Sequence, residues 1–426
     1  MNTQAESPRR WSAYVAVETG TLLSGSANGI TSVALPWLVL ERTGSATLAG
    51  VLAAITALPT AASALFSGTI VDRIGRRTVS VGSDILSLIS VALIPIVDVV
   101  LGLNFGLLVA LAILGAVFDP AGMGAREAMI PESARRAGIS LARANGIHEA
   151  VWGLAFVLGP ALGGLLIGVV GAAATFWATA VMFCLSALVI AVVPIPGSRE
   201  SYQEEEGFWT ATVTGLRFVW RDRLLRSMSV LMMVLVAAWL PVEGVLLPAF
   251  FESQNAPEQF GLAMMALSAG VIIGALAYGA LGERLGQYSL FVGAMVLTGI
   301  FVLLLSTLPS LGWLLAWGLL ASLAYGPVGP ILNVAMQVRT PERLRGRVVG
   351  LLTAVQYAAG PIGFLAVGPL VDSIGVENAF LIVGVVLLII CLATLLMPSL
   401  RALKTLPVHL PEPDLPERTE PPRPMT

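Results

Sequence analysis

The sequence predicts an all-α integral membrane protein: twelve transmembrane helices in two pseudo-symmetric six-helix bundles, with both termini cytoplasmic. Three observations predict it. Of the 426 residues, 56% are hydrophobic and 12% are charged. A soluble domain carries about 25% charge, so this much apolar surface calls for a lipid solvent. Basic residues crowd into alternate gaps between apolar runs, and the same short motifs recur in the two halves.

Twelve runs are long and apolar enough to cross a bilayer: 13–40, 46–70, 78–101, 105–124, 146–170, 172–195, 228–251, 260–281, 289–308, 311–335, 348–371 and 378–398. They are continuous rather than alternating, which excludes barrel strands. With these bounds none contains Lys or Arg, so ion pairs inside the spans are expected to be scarce. Arg9 and Arg10 precede the first run. Arg73, Arg76 and Arg77 follow the second, Arg126, Arg135, Arg136 and Arg143 the fourth, and Arg217, Arg221, Arg223 and Arg226 the sixth. Arg284 follows the eighth, Arg339 to Arg347 the tenth, and Lys404 the twelfth; only Arg42 lies on the other side. The positive-inside rule then puts these gaps in the cytoplasm of a cell-membrane protein.

The domain organisation follows: a cytoplasmic N-terminus (1–12), a first bundle (13–195), a cytoplasmic linker (196–227), a second bundle (228–398) and a disordered tail rich in Pro and Glu (399–426). Within the linker, Phe208 to Trp220 has apolar residues at helical spacing beside arginines, an amphipathic surface helix. No short apolar core with a cleavage site opens the chain, so no signal peptide is expected. The net charge of −2 points to no nucleic-acid partner, and Cys184 and Cys391 read as core residues without a disulfide. No nucleotide-binding loop, Cys/His cluster or nucleophile constellation occurs. An enzyme, a metal site and a cofactor are therefore not expected, and the chain is expected to be a monomer.

The halves echo each other. GTIVDRIGR from Gly68 matches GALGERLGQ from Gly279; RANG from Arg143 matches RVVG from Arg347; GLLIGVVG from Gly164 matches GPLVDSIG from Gly368. Duplicated halves of like orientation are one transporter architecture. Here the chain resembles the major facilitator superfamily, with GTIVDRIGRR similar to its loop 2–3 signature and GALGERLGQY to the weaker copy in loop 8–9. The resemblance implies a cytoplasmic latch made in one conformation and broken in the other. Its expected members are Gly68, Asp72, Arg73, Gly75, Arg76, Asp119, Arg126 and Glu127, with Gly279, Glu283 and Arg284 in the second half.

The fifth run, GIHEAVWGLAFVLGPALGG, resembles the helix motif of drug–proton antiporters through Gly146, Gly159, Pro160, Gly163 and Gly164, with Ala155 replacing one glycine. Phe118 to Ala150 resembles the subgroup of macrolide-type and enterobactin exporters. PWLVLERTGSA, RFVW, LRGRVVG and YAAGP resemble mycobacterial Tap-type multidrug efflux pumps most. The implied function is secondary active export of small amphipathic drugs against protons by alternating access. An exporter of an endogenous metabolite, siderophore or lipid is the alternative; an intramembrane enzyme or a scaffold is remote.

Ionisable residues within the runs would carry the coupling, because a buried carboxylate needs a partner, a wet cavity or a proton. Glu243 is favoured: it lies in WLPVEGVLLP between Pro241 and Pro248, and prolines mark bends that line cavities. The architecture implied by the resemblance places its helix on the central cavity between the halves. Glu149 is a proton carrier or a latch acid, His148 a helix-end residue or a relay, and Glu18 is a further candidate. Asp84 and Asp119 are expected to pair with Arg73, Arg76 or Arg126, and Asp98 to be solvated. Asn28, Asn333, Gln337, Gln356 and Tyr357 are polar cavity candidates; Trp37, Phe118, Trp152 and Trp239 are candidates for stacking on drug rings.

Overall fold

The computed structural model describes residues 11–192 and 208–405. Its helices are α1 (Ser12–Thr43), α2 (Ala46–Ile74), α3 (Arg76–Leu101), α4 (Phe105–Ala137), α5 (Leu141–Val170), α6 (Ala172–Val192) and α7 (Phe208–Arg221). The second half holds α8 (Arg223–Pro241), a π turn (Val242–Leu246), α9 (Leu247–Ser253), α10 (Pro257–Leu285), α11 (Gln287–Ser306), α12 (Leu311–Tyr325), α13 (Val328–Arg339), α14 (Glu342–Ile374) and α15 (Val376–Ala393). Among the described residues eleven helices are long and apolar enough to span a membrane, and α14 adds a shorter apolar stretch, Ala358–Ile374. Large apolar side chains such as Val99, Leu276 and Val192 face outward, as a lipid solvent allows.

Short connections are set by side-chain caps and glycine. Ser45 Oγ accepts the Leu48 N–H, Asn104 Oδ1 that of Leu107, and Ser140 Oγ that of Arg143. At the α2–α3 corner Gly75 has φ +101°, and its repeat counterpart Gly286 at the α10–α11 corner has φ +71°. Both are conformations that favour glycine. The expected tail and N-terminus fall largely outside the described residues, and Pro398–Thr405 continues the chain as a 3-10 segment. The expected amphipathic linker helix is α7.

In the first half α1 packs on α4, α5 and α6, α3 on α4 and α6, and α2 on α4. In the second, α10 packs on α12, α11 on α12 and α15, and α8 on α14. The halves join through two long crossings, α2 with α14 and α5 with α10. They lie towards the end of the molecule that holds the α1–α2, α5–α6, α9–α10 and α14–α15 connections. That end is poor in arginine, and Trp37 of α1 stacks there on Phe260 of α10, centroids 6.3 Å apart.

Candidate functional site

Glu243 sits where the seventh apolar run bends. Pro241 ends α8 without an N–H to donate, and the backbone widens into the π turn before Pro248 opens α9. The Glu243 carboxylate enters a cavity of about 90 Å³. Leu235, Val302 and Leu387 supply apolar wall, with Thr298, Ser322 and Tyr325 as hydroxyl groups. Trp239 Nε1 donates to Glu243 Oε1 at 2.8 Å, one helical turn away. Among the described residues no Arg, Lys or His lines this cavity. All the described lining residues belong to the second half, which puts the cavity inside that half rather than between the halves as expected.

A second polar cluster lies inside the first half. Arg126 of α4 is 1% exposed; its Nη1 donates to Asp84 Oδ1 of α3 at 3.0 Å and its Nη2 to Ser24 Oγ of α1 at 2.9 Å. Ser186 Oγ of α6 lies 2.6 Å from Asp84 Oδ2 and 3.0 Å from the Gly20 carbonyl oxygen. Four helices thus converge on one buried ion pair. Of the three arginines expected as partners of Asp84 it is Arg126 that pairs with it, and this corrects one expectation: Arg126 is not a loop arginine. The fourth apolar run ends at Gly124, whereas α4 continues to Ala137 and carries Arg126 inside.

Asp119 accepts from Asn28 Nδ2 at 2.8 Å, not from an arginine. Asp98 is not simply solvated: it pairs with Arg42 at 2.6 Å, the one basic residue of that side. Glu18 and His148, named separately from the sequence, meet at 3.1 Å between α1 and α5, both buried. Among the described residues Glu18 Oε1 and His148 Nε2 have no hydrogen-bond partner. Glu149 and Glu127 are exposed. Trp37 is buried against Phe260, which is core packing rather than a free stacking face, and Trp152 packs beside His148 and Phe156.

Of the expected latch, Arg73 is exposed and Arg76 half-buried, while Gly68, Asp72, Gly279, Glu283 and Arg284 have side-chain positions outside the described set. So do Gln337, Gln356 and Tyr357; Asn333 is exposed. The neighbouring Arg77 donates to the carbonyl oxygens of Ile190, at 3.1 Å, and Ala191 at the end of α6. The glycines of the fifth run serve two neighbours. A Cβ on Gly159 would meet Gly29 Cα of α1 at 2.8 Å, and one on Gly163 would meet Ile30 at 3.2 Å. Gly164 faces α10 instead, where a Cβ would come 2.8 Å from Gly261 Cα. Where the motif has Ala155, the facing residue is Gly25, so the small side chain has moved across the contact. Gly146 is exposed, and among the described residues nothing from outside its own helix turn lies within 4 Å of a Cβ placed on it.

A model of major facilitator transporters described as "Transmembrane secretion effector" matches residues 3–425. The chain belongs to the major facilitator superfamily. It is a multi-pass integral membrane transporter and not an enzyme. Two mycobacterial members are similar over nearly the whole chain. The multidrug efflux pump Tap of Mycolicibacterium fortuitum is 40% identical over 387 residues, 90% of this chain and 95% of its own. That of Mycobacterium tuberculosis is 41% identical over 392 residues, 91% and 94%. Among solved structures, a variant of the nucleoside transporter NupG matches with a TM-score of 0.75 at 12% identity, covering 91% of this chain and 100% of its own. At that identity the likeness is one of major facilitator fold.

Proposed function

We propose that this protein is a proton-driven exporter of small amphipathic drugs, working by alternating access between two six-helix halves of a twelve-span monomer in the cell membrane. The observation that carries the reading is the combination of 40% identity to a multidrug efflux pump over 90% of the chain with a half-buried carboxylate that faces a mostly apolar cavity and, among the described residues, has no basic partner. An apolar wall accepts a drug skeleton, and a carboxylate without a basic partner accepts a cation or a proton, not both at once. Binding one therefore expels the other, which is antiport.

The arginine-rich end is cytoplasmic in this reading, and so are both termini. The crossings of α2 with α14 and α5 with α10 then close the outer side. The latch of Asp72, Arg73 and Arg76 with Glu283 and Arg284 forms on the cytoplasmic side when the outer side opens. Glu18, paired with His148, and Glu149 supply proton-accepting groups along α1 and α5.

The experiment uses proteoliposomes with an imposed pH gradient and an internal pH dye. Tetracycline, an aminoglycoside, a macrolide and a lipophilic cation are added in turn. Drug-dependent proton flux that disappears in Glu243→Gln is the expected result. Full coupled flux in that variant rules out Glu243 as the coupling residue; no flux with any drug, from folded and inserted protein, rules out drug antiport.

A further inference from the structure

We propose that the arginine-lined pocket between α7, α8, α13 and the 3-10 segment Pro398–Thr405 binds the head group of an anionic phospholipid, with the acyl chains lying along α7. The pocket has a volume of about 680 Å³ and lies at the arginine-rich end, remote from Glu243. Arg221, Arg223, Arg226 and Arg339 line it around one carboxylate, Asp222. That carboxylate is already engaged. Its Oδ1 accepts the N–H groups of Leu224 and Leu225, each at 2.9 Å, as the cap of α8, and its Oδ2 lies 3.6 Å from Arg339 Nη1. Arg226 Nη1 donates to the Trp220 carbonyl oxygen at 3.1 Å, which fixes it at the pocket edge. Among the described residues Arg221 and Arg223 have no carboxylate within ion-pair distance, and both are exposed. The pocket thus presents more positive charge than its own acid balances, with the hydroxyls of Ser227 and Ser399 beside it. This set suits a phosphate ester.

The second observation separates a lipid from a free phosphate. On α7, Gly215 and Val219 turn inward against the protein, whereas Val213, Leu216 and Trp220 are exposed. Those three follow at i, i+3 and i+7, so they form one apolar stripe, edged by the exposed Arg217, that ends at the pocket. A soluble surface has no use for such a stripe beside arginines; a helix lying in the bilayer interface does. Trp220, 58% exposed, sits where an indole meets the head-group layer. Leu400 and Leu403, both buried, hold the 3-10 wall in place.

The test uses the full-length protein in detergent, titrated with phosphatidylglycerol or phosphatidylcholine, and reads lipid adducts by native mass spectrometry together with the thermal midpoint. Phosphatidylglycerol is expected to bind and raise the midpoint while phosphatidylcholine does neither. Arg221→Gln with Arg223→Gln is expected to weaken that binding about fivefold for each arginine, and the lysine pair at the same positions to restore it. Leu216→Ser with Trp220→Ser is expected to weaken it with all arginines present. Equal binding of phosphatidylcholine overturns the proposal. So does protection by inorganic phosphate that matches phosphatidylglycerol, which makes this a free-anion site. So does binding seen only after Glu204, Glu205 and Glu206 are changed to Gln, which makes the linker's own acids the occupant.

Discussion

Gly164 of α5 and Gly261 of α10 meet backbone to backbone: a Cβ on Gly261 would stand 3.0 Å from Gly164 Cα and 2.8 Å from the Pro160 carbonyl oxygen. The other crossing repeats this contact. The sequence offset that carries Arg143 onto Arg347 carries Gly164 onto Gly368 and Pro160 onto Phe364; the offset that carries Gly68 onto Gly279 carries Gly50 onto Gly261. A Cβ on Gly50 would stand 2.5 Å from the Phe364 carbonyl oxygen and 3.5 Å from Gly368 Cα. The duplication therefore extends to the two contacts that join the halves. Backbone contact of this kind needs glycine on both sides.

Gly164→Leu is expected to hold the α5–α10 crossing apart. Overpacking of this type costs about 1–3 kcal/mol, which lowers the population of the state in which the halves touch there by roughly fivefold to 150-fold. Export is expected to fall by a similar factor, and so is the yield of a cysteine cross-link between positions 168 and 258, where a Cβ on Gly168 would lie 3.2 Å from Glu258 Cγ. Gly146→Ala, in the same motif but with nothing within 4 Å, is expected to leave both unchanged. A cross-link that forms in Gly164→Leu with undiminished yield shows that the crossing does not depend on the glycine.

Asp372 is where the two crossings differ. Its carboxylate accepts from Ser45 Oγ and the Ala46 N–H at 2.9 Å and from the Thr47 N–H at 3.0 Å, capping α2 from the other half. The equivalent position on α5 is Gly168, which faces Glu258 in the first turn of α10 and cannot cap. Asp372→Ala is expected to cost about 1 kcal/mol, the usual worth of a helix cap, or roughly a fivefold larger open population. Hydrogen exchange at Ala46 and Thr47 is expected to quicken by that factor while α5 and α10 exchange as before. Unchanged exchange at those two amides shows that the cap does not hold this face shut.

Arg126 and Asp84 form a fully buried pair, so removing either strands the other. Arg126→Gln is expected to cost about 3–5 kcal/mol and to lower the thermal midpoint and membrane yield sharply. Combining it with Asp84→Asn is expected to regain much of that loss, because no charge is then left unpaired. A double variant as unstable as the sum of the two singles shows that the pair is not the unit of stability.

How far the sequence was legible depended on the scale of the feature. The apolar runs and the glycine corners at Gly75 and Gly286 are local, so hydropathy and motif reading found them. Arg126 is not legible in this way, because the apolar run stops short of it while α4 continues to Ala137 with that charge inside. Burial of that charge depends on Ser24, Asp84 and Ser186 from three other helices, which no local window contains. The Glu18–His148 pair was missed for the same reason, its members being far apart in sequence. Pro241 and Pro248 did point to a bend at Glu243, but which side the bend turns to is set by packing, and it turns into the second half.

Trp239 and Glu243 provide the sharpest test of that site. The indole N–H is the one hydrogen bond to the carboxylate found among the described residues, at 2.8 Å inside a cavity with no basic group. Hydrogen bonds to a charged group are worth about 1.5–3 kcal/mol, and more of that is realised where water is excluded. Trp239→Phe keeps the aromatic wall and removes the donor. It is expected to lower stability by an amount in that range and to weaken drug-coupled proton flux. In Glu243→Gln, where no charge needs the donor, the same change is expected to cost much less. Thermal unfolding of the wild type, both single variants and the double variant closes a double-mutant cycle. A coupling near zero means that the indole only fills space, and the carboxylate is then held by the shape of the π turn alone.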